Sequence, residues 1–565
     1  MEIGRPCLIL ARLRYNPRNY RPPPAENIIR GLPMHDLLIR NGLIYDGNGR
    51  PPYSGDLAID SDTITAIGRV EGQARRTIDA GGLAVSPGFI NMMCWANESL
   101  IHDGRSQSDI RQGVTLEVMG EGFSMGPVND DLKAYMKERQ GDIQYDIEWS
   151  TLREYLEFLV RRGVSPNVAS FVGAGGVRAN VVGFVDRRPT PDELAQMQAL
   201  VRQAMAEGAV GLSAALIYAP DSYADTAELI ALASAAAEYD GLFTAHLRSE
   251  GETFLEGLEE FLTIVKTSGI RGEIYHLKAS GQRNWPKLER VITRVEEVRA
   301  AGLPVTADMY TYNASSTGLD AMMPGWVQEG GHRAWVERLR DPAVRERLKR
   351  EIALPSAEWE NSYHEAGSAD KVLCIGFKND ALKPLTGKSL GEIARMRGAD
   401  PIETAMDLVI EDDSRVDCVY FTMSEDNVRR QIGLPWVSFC SDSASLAPEG
   451  IFLLHNPHPR AYGSFARLLG RYVRDEGLIP LEEAIRRLAA LPADNLKLDR
   501  RGRLLPGHFA DVVIFDPATI QDHATFDQPH QYATGVRDVL VNGVPVLLDG
   551  EHTGAKPGRV VDGPG

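Results

Sequence analysis

The stretch Ser86–Leu100, SPGFINMMCWANESL, stands where the pattern of the chain changes, and its reading decides the fold. Upstream, residues 36–85 read as short strands. DLLIRNGLIYDGNG and GDLAIDSDTITAIG are split by Asn-Gly, Asp-Gly and Ser-Asp turn signals. Downstream, strand-like runs alternate with longer helical ones such as PDELAQMQALVRQAMAEGA and DTAELIALASAAAEYDG. That alternation marks βα units, in a parallel barrel or a doubly wound sheet.

The candidate strands are LAVSPGFINM, VTLEVMGE, NVASFVGAG, AVGLSAALI, LFTAHLRS, EIYHLKAS, PVTADMYTY, VDCVYFTMS and WVSFCSDS. They are one too many for the eight positions of a (β/α)8 barrel. VDCVYFTMS is therefore placed outside it, in the long connection from about 320 to 430. Near the C-terminus, ADVVIFDPATI and RDVLVNGVPVLLDGEHTG return to the β pattern, with Asn542-Gly543 as a tight hairpin turn. Two β segments at opposite chain ends, each too small for its own core, predict one sandwich built from both. The expected fold is α/β. A TIM-like barrel spans residues 86–497 with an insertion near 320–430, and a small β-sandwich is made of residues 34–85 and 498–565.

The totals narrow the function. The chain has 565 residues, 43% hydrophobic and 25% charged, with a net charge of −17. That charge argues against nucleic acid as a partner. No run of 18 apolar residues predicts a membrane-spanning helix. Five scattered cysteines without a Cys-x-x-Cys predict no disulfide framework and a cytoplasmic location. Residues 1–33 hold six arginines, two acids and the run Arg21-Pro22-Pro23-Pro24. They read as a disordered extension with Met34 as an alternative start, a transit peptide being the other reading.

Working residues of a βα barrel sit at the C-terminal ends of its strands. Glu121, His246, His276 and Asp442 are the polar residues that end apolar runs. A single histidine there is usually only hydrogen-bonded. Two on adjacent predicted strands, together with Glu121, make the two-imidazole, one-carboxylate set of some catalytic zinc sites. Asp442 is placed to move a proton, or equally to cap a turn. Lys278, two residues past His276, points to the same side of its strand. It faces an anionic substrate or a barrel carboxylate.

With these residues in place the chain resembles the amidohydrolase superfamily, and within it the N-acyl-D-amino-acid deacylases. The matching stretches run from about 36 to 563. They include VSPGFIN, QGVTLEVMGEGFS, TAHLRSEG, HLKASG, TADMYTYNASSTGLD, HPRAYGSFARLLGRYV and GHFADVVIFDP. The resemblance implies that His246 and His276 are metal ligands and Asp442 the catalytic aspartate. Glu121 stands where the family has a cysteine ligand. Lys278, Tyr310 and Arg460 match positions that contact the substrate carboxylate. A surface pair for Arg460 and core packing for Tyr310 are the alternatives. The family's His-x-His pair is replaced by Met93-Cys94-Trp95, and its Gly-His-Gly by a turn with Ala174.

The implied cofactor is one divalent metal, zinc first, with manganese or iron compatible with the oxygen ligand. Cys94 and His102 are weaker candidates for a substitute ligand. The expected reaction is hydrolysis of a linear amide next to a carboxylate, an N-acyl-D-amino acid or a small D-residue peptide, by metal-activated water. Cyclic amide or imide opening, and a non-catalytic binding descendant, are the alternatives. The sequence sets no oligomeric state.

Overall fold

The computed structural model describes residues 34–565, so the extension expected over residues 1–33 lies outside the described residues. Strand β1 (Met34–Ile44) pairs antiparallel with β2 (Tyr53–Asp60), which turns back into β3 (Thr63–Gly68). β4 (Gln73–Asp79) and β5 (Ala84–Pro87) run parallel to β1 along successive lengths of it. The opening stretch thus divides. Pro87 ends β5, and the barrel strand β6 (Phe89–Asn91) begins two residues on. Gly88 between them lies against Thr115. A Cβ there would stand 2.7 Å from Thr115 Cβ, so this passage needs glycine.

The barrel continues through β7 (Val114–Met119), β8 (Asn167–Ser170), β9 (Val172–Gly173), β10 (Gly211–Ala215), β11 (Leu242–His246), β12 (Arg271–Ile274) and β13 (Val305–Met309). Each H-bonded neighbour pair among them is parallel, and β8 and β9 are separated only by Phe171. β14 (Ser315–Gly318), β15 (Val372–Gly376) and β16 (Asp417–Tyr420) form a separate antiparallel sheet in the order β14-β16-β15. VDCVYFTMS, which supplies β16, therefore lies outside the barrel. This region packs its own apolar cluster around Leu319, Met322, Leu390, Met406 and Tyr420.

β17 (Val437–Phe439) pairs with β13 and completes the ring. Closure onto β6 runs through the segments just past both strands. Asp442 N–H donates to Met93 O (3.1 Å) and Trp95 N–H to Ser443 O (2.9 Å). Asn91 Oδ1 accepts from Ser441 N–H at 2.9 Å. With β8 and β9 counted as one position, the barrel has its eight strands. The chain then returns to the first sheet with β18 (Val512–Phe515), β19 (Val536–Val541), β20 (Val544–Leu548) and β21 (Glu551–His552). β18 pairs antiparallel with β5, so both chain ends share one nine-stranded sheet that forks at β1. Leu37, Ile39, Ile59, Val512, Ile514 and Leu540 pack together in it, half from each end.

The helices follow local rules. Thr190 accepts from Glu193 N–H, Glu193 reaches back to the Thr190 backbone, and Pro191 opens helix Pro191–Ala206. Asp225 caps Thr226–Ala237 by accepting from the Glu228 N–H. Among the described residues no helix is long and apolar enough to cross a membrane. The four described cysteines are free and buried.

Candidate metal centre and active site

Glu121 follows β7 between two glycines with positive φ, Gly120 (+99°) and Gly122 (+59°). A Cβ on Gly122 would come within 2.5 Å of Ala215 Cβ. The MGEG turn is therefore tight enough that only glycine fits on the far side of the carboxylate. His246 is the last residue of β11. His276 stands two residues past β12 at φ +32°, and Asp442 three past β17 at φ +48°. Left-handed backbone costs a non-glycine residue on the order of 1–3 kcal/mol and gathers at functional sites. The His276 N–H donates to Asp308 Oδ1 (2.6 Å), which helps to hold that conformation.

These turns bring Glu121, His246 and His276 together, with one donor atom of each within 4.8 Å of the others. Glu121 Oε1 lies 3.2 Å from His276 Nε2 and 3.5 Å from His246 Nδ1. Ligands at about 2.0–2.1 Å around a tetrahedral ion are separated by about 3.3 Å, so the spacing fits zinc-like coordination. The charges agree. Burial raises the Glu121 carboxyl, but the facing His246 and His276 outweigh it and hold it well below the usual carboxylate range. Burial lowers His246. Burial and Lys278 also depress His276, but Glu250 and Glu121 overcome them and carry it up to about 10. An anionic carboxylate beside two imidazoles, all enclosed, is a donor set that fits a divalent cation.

Lys278 lines the cavity and is paired with a barrel carboxylate. Its Nζ donates to Glu250 Oε1 (2.7 Å) and lies 2.7 Å from His276 Nδ1. Arg460 Nη1 is 2.6 Å from Asp442 Oδ2. Its guanidinium covers the Tyr310 ring at 4.5 Å, and its Nε has no hydrogen-bond partner. Tyr310 itself does not line the cavity. Its hydroxyl meets Met423 Sδ at 3.3 Å, as expected of core packing. Asp442 is buried, which raises its carboxyl against the opposing pull of Arg460.

The substitute ligands do not join the cluster. Cys94 is buried beside Glu117, and exposed His102 packs edge-on against Phe452 at 5.3 Å. Met93 is buried and Trp95 lines the cavity, so the vacated His-x-His positions offer no donor. Ala174 opens the helix Ala174–Val181.

Two carboxylates escaped the strand-end rule. Glu250, four residues past His246, is fully enclosed and faces His246, His276 and Lys278. His246 and Lys278 outweigh its burial and hold it at about 2. Glu360, from the insertion, accepts from Glu250 N–H at 2.5 Å. Burial and the neighbouring Glu250 push it up to about 8. The signal for Glu250 was the spacing His-x-x-x-Glu in HLRSE; nothing local marks Glu360.

Glu121, His246, His276, Lys278, Asp442 and Arg460 all open on one cavity of about 770 Å³. The insertion walls part of it with Thr317, Phe377, Lys378, Arg415 and Asp417. Similarity to known proteins centres on this architecture. The amidohydrolase family profile matches residues 163–547. A D-aminoacylase from Alcaligenes xylosoxydans xylosoxydans is 32% identical over 93% of this chain and 97% of its own length. An N-acyl-D-glutamate deacylase from Bordetella bronchiseptica was solved with zinc and a phosphonate mimic of the tetrahedral intermediate. It superposes with a TM-score of 0.77 at 30% identity, covering 94% of this chain and all of that one. A D-aminoacylase described by one-metal activation and second-metal attenuation of a binuclear centre superposes equally, at TM-score 0.77, 30% identity and the same coverage. With a matching profile over most of its length, a parallel barrel and a strand-end cluster of donors, the chain belongs to the amidohydrolase family.

Proposed function

We propose that this amidohydrolase removes the acyl group from an N-acyl-D-amino acid or a small D-residue peptide, with one divalent metal held by Glu121, His246 and His276. The observation that carries the reading is the enclosed Glu-His-His cluster opening on the same cavity as Asp442 and two buried cations. The relatives' substrates supply the D configuration. When bound, such an ion supplies Lewis acidity and a water activated near neutral pH.

The protein's own groups do the rest. Asp442 takes the proton of the attacking water and passes it to the leaving nitrogen. Burial raises its carboxyl, and its Arg460 partner opposes that rise. Arg460, with an unpartnered Nε, and Lys278 offer positive charge to the substrate carboxylate. Tyr310 contributes by supporting Arg460 from below. Met93 and Trp95 stand where the family's His-x-His pair would be and supply no ligand there, which favours a mononuclear centre. Zinc is the first choice, and the Glu121 oxygen suits manganese or iron too. The free, scattered cysteines fit a cytoplasmic enzyme.

The test is elemental analysis of wild type and Glu121→Ala purified without added metal, followed by amine release from acylated D- and L-amino acids. One equivalent of metal in wild type, lost in the variant, with release from the D series, is expected. Metal that is absent and cannot be restored, or activity on a hydantoin or dihydropyrimidine alone, would overturn the reading.

A further inference from the structure

Each imidazole of the cluster has two nitrogens, and only one faces Glu121. His246 turns Nδ1 toward Glu121 Oε1 and Nε2 toward Glu250 Oε2, at 3.5 and 3.4 Å. His276 turns Nε2 toward Glu121 Oε1 and Nδ1 toward Glu250 Oε1, at 3.2 and 3.1 Å. The two rings cross nearly perpendicular, 83° apart with centroids 4.5 Å from each other. Glu121 and Glu250 thus sit on opposite sides of the pair. A ligating imidazole presents a lone pair to its metal and must carry its proton on the other nitrogen. That far N–H takes a carboxylate or carbonyl in most protein metal sites.

We propose that Glu250 is a positioning residue whose two carboxylate oxygens each receive the far-side N–H of one histidine ligand, so that a single side chain sets the tautomer and orientation of both. The inference rests on the metal site proposed above. His246 Nε2 is buried and has no hydrogen-bond partner, which leaves Glu250 Oε2 as the acceptor it faces. Glu250 is itself held. Lys278 Nζ lies 2.6 Å from Oε2 and also 2.7 Å from His276 Nδ1, a contact that metal binding must release for Nδ1 to donate to Glu250; the Glu250 N–H donates to Glu360 Oε2. The same residues can be grouped as a second cation site, His246 with Glu250 and Glu360, whose donor atoms also lie within 4.8 Å. The Lys278 ammonium already supplies the positive charge at Glu250, so the position is occupied by the protein's own cation. Lys278 gains a second task from this arrangement. Its ammonium balances the Glu250 carboxylate on the side away from Glu121.

Two substitutions separate the clamp from the charge. Glu250→Gln keeps the shape but turns one acceptor into a donor that opposes an imidazole N–H. Glu250→Asp keeps the charge for Lys278 but withdraws the oxygens by one methylene. The readouts are metal affinity by chelator competition and the visible spectrum of the cobalt(II)-loaded protein, with far-UV circular dichroism to verify folding. Both variants are expected to bind about 10–100-fold more weakly and to shift the cobalt spectrum. Wild-type affinity and spectrum in a folded Gln or Asp variant would overturn the inference. Glu121→Ala runs alongside. If it keeps its metal, the site itself is misplaced; if it loses metal while both Glu250 variants keep theirs, only the clamp fails.

Discussion

At the residue scale the site depends on what glycine permits beside Glu121. Gly122 has φ +59° and no room for a methyl group against Ala215. Gly122→Ala must strain the backbone or push the MGEG turn off β10, and either moves Glu121 away from the histidines. The expected cost is about 1–3 kcal/mol in stability together with loss of bound metal, read by thermal unfolding and elemental analysis. Retained metal at wild-type stoichiometry would show that the turn tolerates the shift. Glu121, His246, His276 and Asp442 were legible because each ends an apolar run, which is a local property. The partners of Lys278 and Arg460 were not, because Glu250 and Asp442 come from other segments that only the fold brings beside them.

At the scale of elements, β7 carries a second buried acid. Glu117 Oε2 accepts from Asn91 Nδ2 (3.0 Å) and Oε1 from Ser106 Oγ (3.0 Å). Asp109, on the short helix Gln107–Ile110, accepts from the same Asn91 amide at 3.3 Å. Burial raises both carboxyls, Asp109 well above its ordinary value with Glu117 adding to the rise, and Glu117 to about 7. An unfolded Glu titrates near 4.3, so the folded pKa is the higher one. The stabilisation is then complete below about pH 4 and is lost as pH rises through about 7. Glu117→Gln cannot ionise. It is expected to gain stability over wild type at pH 8, on the order of 3–4 kcal/mol, and little at pH 4. Denaturant melts at the two pH values check this; an equal effect at both would refute it. The strands themselves were readable from short apolar runs, including the placement of β16 outside the barrel. The division of LAVSPGFINM into β5 and β6 was not, because it depends on Gly88 meeting Thr115 from another strand.

At the scale of the whole molecule, the C-terminal tail reaches past the sheet to the barrel. Gly558 N–H donates to Val164 O, Val168 N–H to Arg559 O, Val561 N–H to Val168 O and Gly563 N–H to Gly208 O. Asn542 Nδ2 also donates to Asn167 Oδ1 at the start of β8 (2.8 Å). These contacts lie at the N-terminal ends of the strands, opposite the site. Removing residues 557–565 forfeits bonds worth about 1 kcal/mol each and uncovers the start of β8. A lower midpoint of thermal inactivation is expected, with metal content unchanged in the protein that remains folded. Loss of metal on truncation would mean that the two ends of the barrel are coupled.

The sequence by itself determined the alternation of strand and helix, the β segments at both chain ends, and the polar residues that close the barrel strands. Each follows from spacing along the chain, where backbone geometry turns periodicity directly into facing. The tertiary structure decided what surrounds those residues. Glu250 and Glu360 meet across 110 positions of sequence, and Arg460 folds back onto Asp442 from the start of a later helix. The insertion walls the cavity from a sheet of its own. Such contacts arise only when the barrel closes, and burial, which sets both the charges and the hydrogen-bond partners of the site, exists only after it has.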